Sequence, residues 1–205
     1  MSTIEGGPSA SNLIQRARDL ILRPAIAWAE IDGEPATIAG LYKSWVLPLA
    51  AIPAVCGAIG ALAFGSGAFA DRPGVAGVAV TAVVGYLLSL ASVYVLALII
   101  DALAPSFDGQ KNPVQAFKVA AYSSTAVWLA GVFKLFPPLA VLGIVGLYSL
   151  YLLYKGLPRL MKVAEDKALT YTAVAVVAAI VISIVVGIVV GVITAPLLAI
   201  GMMND

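Results

Sequence analysis

Histidine is absent from this 205-residue chain, cysteine occurs once, and charged residues make up only 11% of it. Each shortage removes a class of function. Without histidine, the commonest general base near neutral pH and the commonest metal ligand are both missing. The single Cys56 allows no intrachain disulfide, and a thiol inside an apolar run stays protonated and unreactive. A net charge of +1 leaves no basic footprint for nucleic acid. There is no HExxH pattern, no Ser/His pair and no clustered metal ligands, and Gly65-Ser66-Gly67 lacks the lysine of a phosphate-binding loop. The expectation is a protein that is not an enzyme and needs no cofactor or metal.

What is present is hydrocarbon. Hydrophobic residues make up 61% of the chain, whereas a soluble domain carries about 25% charged residues. The apolar runs are nearly contiguous from Trp45 to Ile200. A bilayer core about 30 Å thick takes roughly 20 apolar residues per helical crossing. Five spans result, at about 45–64, 74–100, 120–136, 138–154 and 171–193. Only Pro137-Pro138 separates the third from the fourth, so these two should form a tight hairpin. The expected fold is all-α: a polytopic bundle of five transmembrane helices (45–205) behind an N-terminal segment (1–44).

That segment holds apolar side chains at Leu13, Ile14, Ala17, Leu20, Ile21, Ala25 and Trp28, the spacing of one helical face. Arg16, Arg18, Asp19 and Arg23 take the other side. Pro24 should kink this helix or begin a second one. The expectation is an amphipathic helix lying in the membrane interface, anchored by Arg23, Pro24 and Trp28. Lys and Arg then orient the bundle. Ten of the twelve fall in the N-terminal segment and in the loops after spans two and four, leaving only Arg72 and Lys134 on the other side. The expected arrangement is a multi-pass inner-membrane protein with its N-terminus in the cytoplasm and its C-terminus outside.

Small residues let helix backbones approach closely in lipid. Gly77 and Gly85 in span two, and Ser183, Gly187 and Gly191 in span five, recur at helical spacing and are expected to pack helices. The richest polar patch runs from the loop after span two into span three: Asp101, Pro105, Gln110, Lys118, Tyr122, Ser123 and Thr125. Asp101 and Lys118 are placed to pair there, and the patch is the candidate binding or interaction site.

Several stretches are similar to the Yip (Ypt-interacting protein) domain family, in particular its short bacterial members. They are Arg23-Pro24 followed by Trp28, Glu34-Pro35-Ala36-Thr37, Asp101-Ala102-Leu103-Ala104-Pro105-Ser106-Phe107 and Lys118-Val119-Ala120-Ala121-Tyr122-Ser123. Ala121 stands where the family often has glycine, and Ala126 where many bacterial members have proline. The resemblance implies a five-helix membrane protein without catalytic activity. Partners expected are the lipid bilayer and either a second copy or another membrane protein, with no nucleic acid. The first expectation for function is therefore a membrane organising or protein-interaction protein. A small-solute or ion transporter with a polar site between spans two and three is the second. A lipid-handling or membrane-shaping protein is the third.

Overall fold

The computed structural model describes residues 10–65 and 74–203. The residues before Ala10, together with Ser66, Gly67 and Arg72, lie outside the described residues. Helix α1 covers Ala10–Leu22 and α2 covers Pro24–Gly33. Pro24 opens the second helix, where its missing N–H costs nothing. Five long helices follow: α3 Ile38–Phe64, α4 Val75–Phe107, α5 Pro113–Leu135, α6 Pro138–Met161 and α7 Glu165–Pro196, the last continuing to Met203. All regular structure among the described residues is helical, as expected.

Each helix start and break has a local cause. Thr37 caps α3 by accepting a hydrogen bond from Gly40 N (3.0 Å), and a wide π-turn over Tyr42–Val46 precedes Pro48. Asn112 caps α5 by accepting from Gln115 N (3.1 Å), with Pro113 at the first helical position. Ser124 separates the two α-helical parts of α5, and the turns from Gly131 to Leu135 and from Pro137 to Leu147 are 3-10 helix. A 3-10 helix rises about 2.0 Å per residue against 1.5 Å for an α-helix. The short hairpin of spans three and four thereby gains reach.

The five helices outrun their apolar stretches, four of them chiefly at one end of the bundle and α7 at both, where it also runs ten residues past 193. Helices α3, α5 and α7 begin six or seven residues early, while α4 and α6 end seven residues late. The core occupies these added turns and the adjoining half of the spans. Leu20, Trp28, Ile31, Trp45, Ile100, Phe117, Leu157, Met161 and Tyr171 are all buried in one cluster with α1 and α2. The helix pair α1–α2 thus caps one end of the bundle.

Helix α5 is the hub. In its candidate span, 72% of the most apolar stretch is buried within the protein, against 0% for α7. It is also the least apolar of the five and α7 the most. A helix surrounded by protein can keep polar side chains; one facing lipid cannot.

Candidate functional site

The polar patch expected around Asp101–Thr125 holds the cap in place. Lys118 is 2% exposed, and its Nζ donates to the carbonyls of Ile31 (2.7 Å) and Glu34 (2.6 Å), at the end of α2. Gln115 Nε2 donates to the carbonyl of Asp32 (3.0 Å), and Lys162 pairs with the Asp32 carboxylate (2.6 Å). Lys118 and Gln115 thereby satisfy carbonyls that a helix C-terminus leaves without internal partners. Asp101 does not pair with Lys118: its Oδ1 accepts from Asn112 N (2.7 Å) and fixes the turn before α5. Gln110 donates its backbone N–H to Met161 O (2.8 Å), and Pro105 sits exposed in the 3-10 turn that ends α4. Tyr122 is buried between Trp28 and Trp45, with ring centroids at 6.2 and 4.7 Å, and Thr125 accepts from Trp45 Nε1 (3.2 Å).

The expected interfacial anchor is corrected by the same contacts. Trp28 is 1% exposed and lies inside the protein, against Tyr122 and Gly156. Tyr148 Oη donates to Ile21 O (2.9 Å), and Arg16 pairs with Glu30 and Glu34 across the α1–α2 pair. Ala17, Leu20, Trp28 and Ile31 of this segment pack on the extended helix ends, while Ile14, Leu22 and Ile26 stay exposed. Arg23 does remain exposed, at the junction with Pro24.

The opposite half of the bundle is open. A cleft of about 1280 Å³ runs between all five long helices. Its lining spans Ala50–Ala61 of α3, Val78–Leu96 of α4, Ser123–Lys134 of α5, Ala140–Leu153 of α6 and Ala179–Val190 of α7. On every helix this reaches from mid-length towards the end away from the cap. The volume exceeds the roughly 300–1,000 Å³ usual for small-molecule pockets. Its walls are mostly alanine, glycine, valine, isoleucine and leucine. Among the described residues, Lys134 is the one charged group in the lining.

The glycine stripes take on a different role here. A Cβ added at Gly85, Gly187 or Gly191 would meet nothing within 4 Å, and Ser183 is exposed. Gly85, Ser183 and Gly187 line the cleft instead of seating a neighbouring helix. Only Gly77 of the five is buried. The close approaches occur at glycines outside the stripes. A Cβ at Gly131 would lie 2.5 Å from Pro53 Cβ, and one at Gly60 would collide with the backbone carbonyl of Lys134. These contacts join α3 to the end of α5. Sequence reasoning missed the cleft, although Ser123 had been singled out and turns out to line it.

Hydroxyl groups gather at the deep end of the cleft, near the middle of their helices: Ser89 and Ser92 on α4, Ser123 and Ser124 on α5, and Ser149 on α6. Ser92 and Ser124 donate to carbonyls four residues back, Leu88 (2.7 Å) and Ala120 (2.8 Å). Ser149 Oγ accepts from Val127 N (3.0 Å). Ser123 is 4% exposed, and its Oγ has no hydrogen-bond partner. Among the described residues, no group of His, Cys, Asp and Glu is disposed to hold a metal ion.

Comparison with known proteins agrees with the helical architecture. The family model of the Yip1 domain matches residues 18–188. The chain is 28% identical over 151 residues to the "Inner membrane protein YohC" of Escherichia coli strain K12, covering 70% of this chain and 77% of that protein. The same figures hold for the protein of that name from Escherichia coli O6:H1. No solved structure matches the chain.

Proposed function

We propose, for a chain that belongs to the Yip1 domain family, a non-enzymatic, lipid-handling role in the inner membrane, in which the cleft holds an apolar, lipid-like guest. The observation that carries this reading is the cleft of about 1280 Å³ between the long helices, in the half of the bundle away from the cap. Apolar cavities do not hold water readily, since water there finds no polar partners. In a bilayer the surrounding material that wets such walls is acyl chain. A transport route for ions is less well supported, because charged side chains normally mark such paths and the lining carries no carboxylate among the described residues. With the basic residues of the cap side in the cytoplasm, the cleft lies in the outer half of the membrane.

The test is native mass spectrometry of protein released from mild detergent, on the wild type and on Gly85→Leu with Gly187→Leu. Both glycines line the cleft, and a Cβ at either meets nothing within 4 Å, so leucine there takes up cleft space. Bound lipid on the wild type and its loss from the folded variant is the expected result. A wild type that retains no lipid overturns the reading.

A second reading, association with another copy or another membrane protein, rests on Gly191. It has open space beside it and lies outside the cleft lining. Disulfide cross-linking of Gly191→Cys in a Cys56→Ser background, in native membranes, yields a covalent dimer if copies meet there, and monomer alone if they do not.

A further inference from the structure

With Trp28 turned inwards, another edge of the α1–α2 pair is left without cover. Ile14 is 69% exposed, Leu22 64% and Ile26 58%, although all three are aliphatic and lie outside the five apolar runs. Ile14, Arg18 and Leu22 stand four residues apart and so form one row along α1. Arg23 and Ile26, both exposed, follow across the junction at Pro24. The charge on this edge is basic. The ion pairs among the described residues use Arg16, Lys162 and Lys167, and leave Arg18 and Arg23 out. Of the carboxylates on the pair, Glu30 and Glu34 are matched by Arg16 and Asp32 by Lys162, while Asp19 is half-buried.

Helix α6 sets the depth of this edge. Tyr148 Oη donates to Ile21 O (2.9 Å), tying the last turn of α1 to a residue within the candidate span of α6. One and two turns further along α6, Tyr151 and Tyr154 are 42% and 38% exposed, and Lys155 Nζ lies 5.7 and 5.5 Å from their ring centroids. Tyrosine with lysine at the end of a span marks the headgroup level. Leu22, next to Ile21, therefore sits where headgroups meet acyl chains. We propose that this edge of the cap docks on the leaflet at the capped end, with Ile14, Leu22 and Ile26 among the upper acyl chains and Arg18, Arg23 and Lys155 on anionic headgroups. Docking of this kind takes both apolar area and opposite charge. Anionic phospholipid supplies both, whereas a second copy meeting the same edge across a two-fold axis would set arginine against arginine. The surface is separate from the cleft and does not depend on what the cleft holds.

The experiment uses the full chain in nanodiscs of equal phosphatidylcholine and phosphatidylglycerol. Leu22→Cys, in a Cys56→Ser background, carries a benzophenone label, and the adducts formed on irradiation are identified by mass spectrometry. Lipid adducts are expected, with phosphatidylglycerol ahead of phosphatidylcholine by at least about fivefold, the effect of one basic residue near an anionic surface. Adding Arg18→Gln, Arg23→Gln and Lys155→Gln is expected to bring the two lipids to equal yield. The unfolding midpoint in neutral detergent should stay unchanged, since none of the three takes part in an ion pair among the described residues. Equal yields from the chain with its basic residues intact overturn the anionic assignment. Adducts to a second copy, or the absence of lipid adducts, overturn docking on the leaflet. Neither result touches the lipid of the cleft, which the Gly85→Leu with Gly187→Leu variant decides by itself.

Discussion

The ammonium group of Lys118 lies 2.7 Å from the carbonyl oxygen of Ile31, a residue 87 positions earlier in the chain. The bond joins the hub helix to the end of α2 and, with the bond to Glu34 O at 2.6 Å, places a buried cation on a helix C-terminus. Replacing Lys118 by methionine keeps the stem and removes the charge, leaving two carbonyls unpaired. Charge-assisted hydrogen bonds contribute about 1.5–3 kcal/mol each. A loss of about 2–4 kcal/mol is expected, read as a lower unfolding midpoint. Proteolysis should become faster within residues 10–33, and unchanged proteolysis there would show that the cap is held without Lys118.

Gly156 should tolerate nothing larger. A Cβ there would lie 2.5 Å from the Trp28 ring, which is itself fully enclosed. Overpacking of this kind costs about 1–3 kcal/mol. Gly156→Ala is expected to lower the midpoint by that amount, and Trp28→Phe in the same chain to recover part of it. Strict additivity of the two changes would sink the proposed contact.

Glycines at opposite ends of the space scale separate structure from cleft. Gly131→Ala drives a methyl group to within 2.5 Å of Pro53 Cβ and 2.8 Å of its Cα, both on a rigid ring or backbone. Gly187→Leu meets open space. The first is expected to cost about 1–3 kcal/mol and the second to leave stability within about 0.5 kcal/mol of the wild type, or above it. Thermal unfolding of the two variants in one detergent distinguishes them. Equal destabilisation would mean that Gly187 itself seats a neighbouring helix.

With ten basic residues against two, the expected topology has the capped end in the cytoplasm. Alkaline phosphatase fused after Asp205 should be active, and the same enzyme fused before Met1 inactive. The reverse pattern would turn the bundle over and put the cleft in the cytoplasmic half of the membrane.

The number of helices, their approximate places and the tight turn at Pro137-Pro138 were legible in the sequence alone, because a span must satisfy its backbone internally and face lipid with apolar side chains. The family was legible too, through the order of short stretches from Arg23 to Ser123. Other matters were decided only by the tertiary structure. Apolar runs report the surface that meets lipid, so they end where protein begins to cover a helix, and the extra turns of α3–α7 at the capped end stayed hidden. The same limit explains Trp28: an amphipathic face reads alike whether it lies on headgroups or on other helices. It explains Lys118 as well, since a lysine at a span boundary is ordinary until its two carbonyl partners are brought to it. Gly187 and Gly131 are chemically identical, and only the distance to the next helix makes one a wall of the cleft and the other a contact. The cleft itself is a space between five helices, which no single helix's sequence reports.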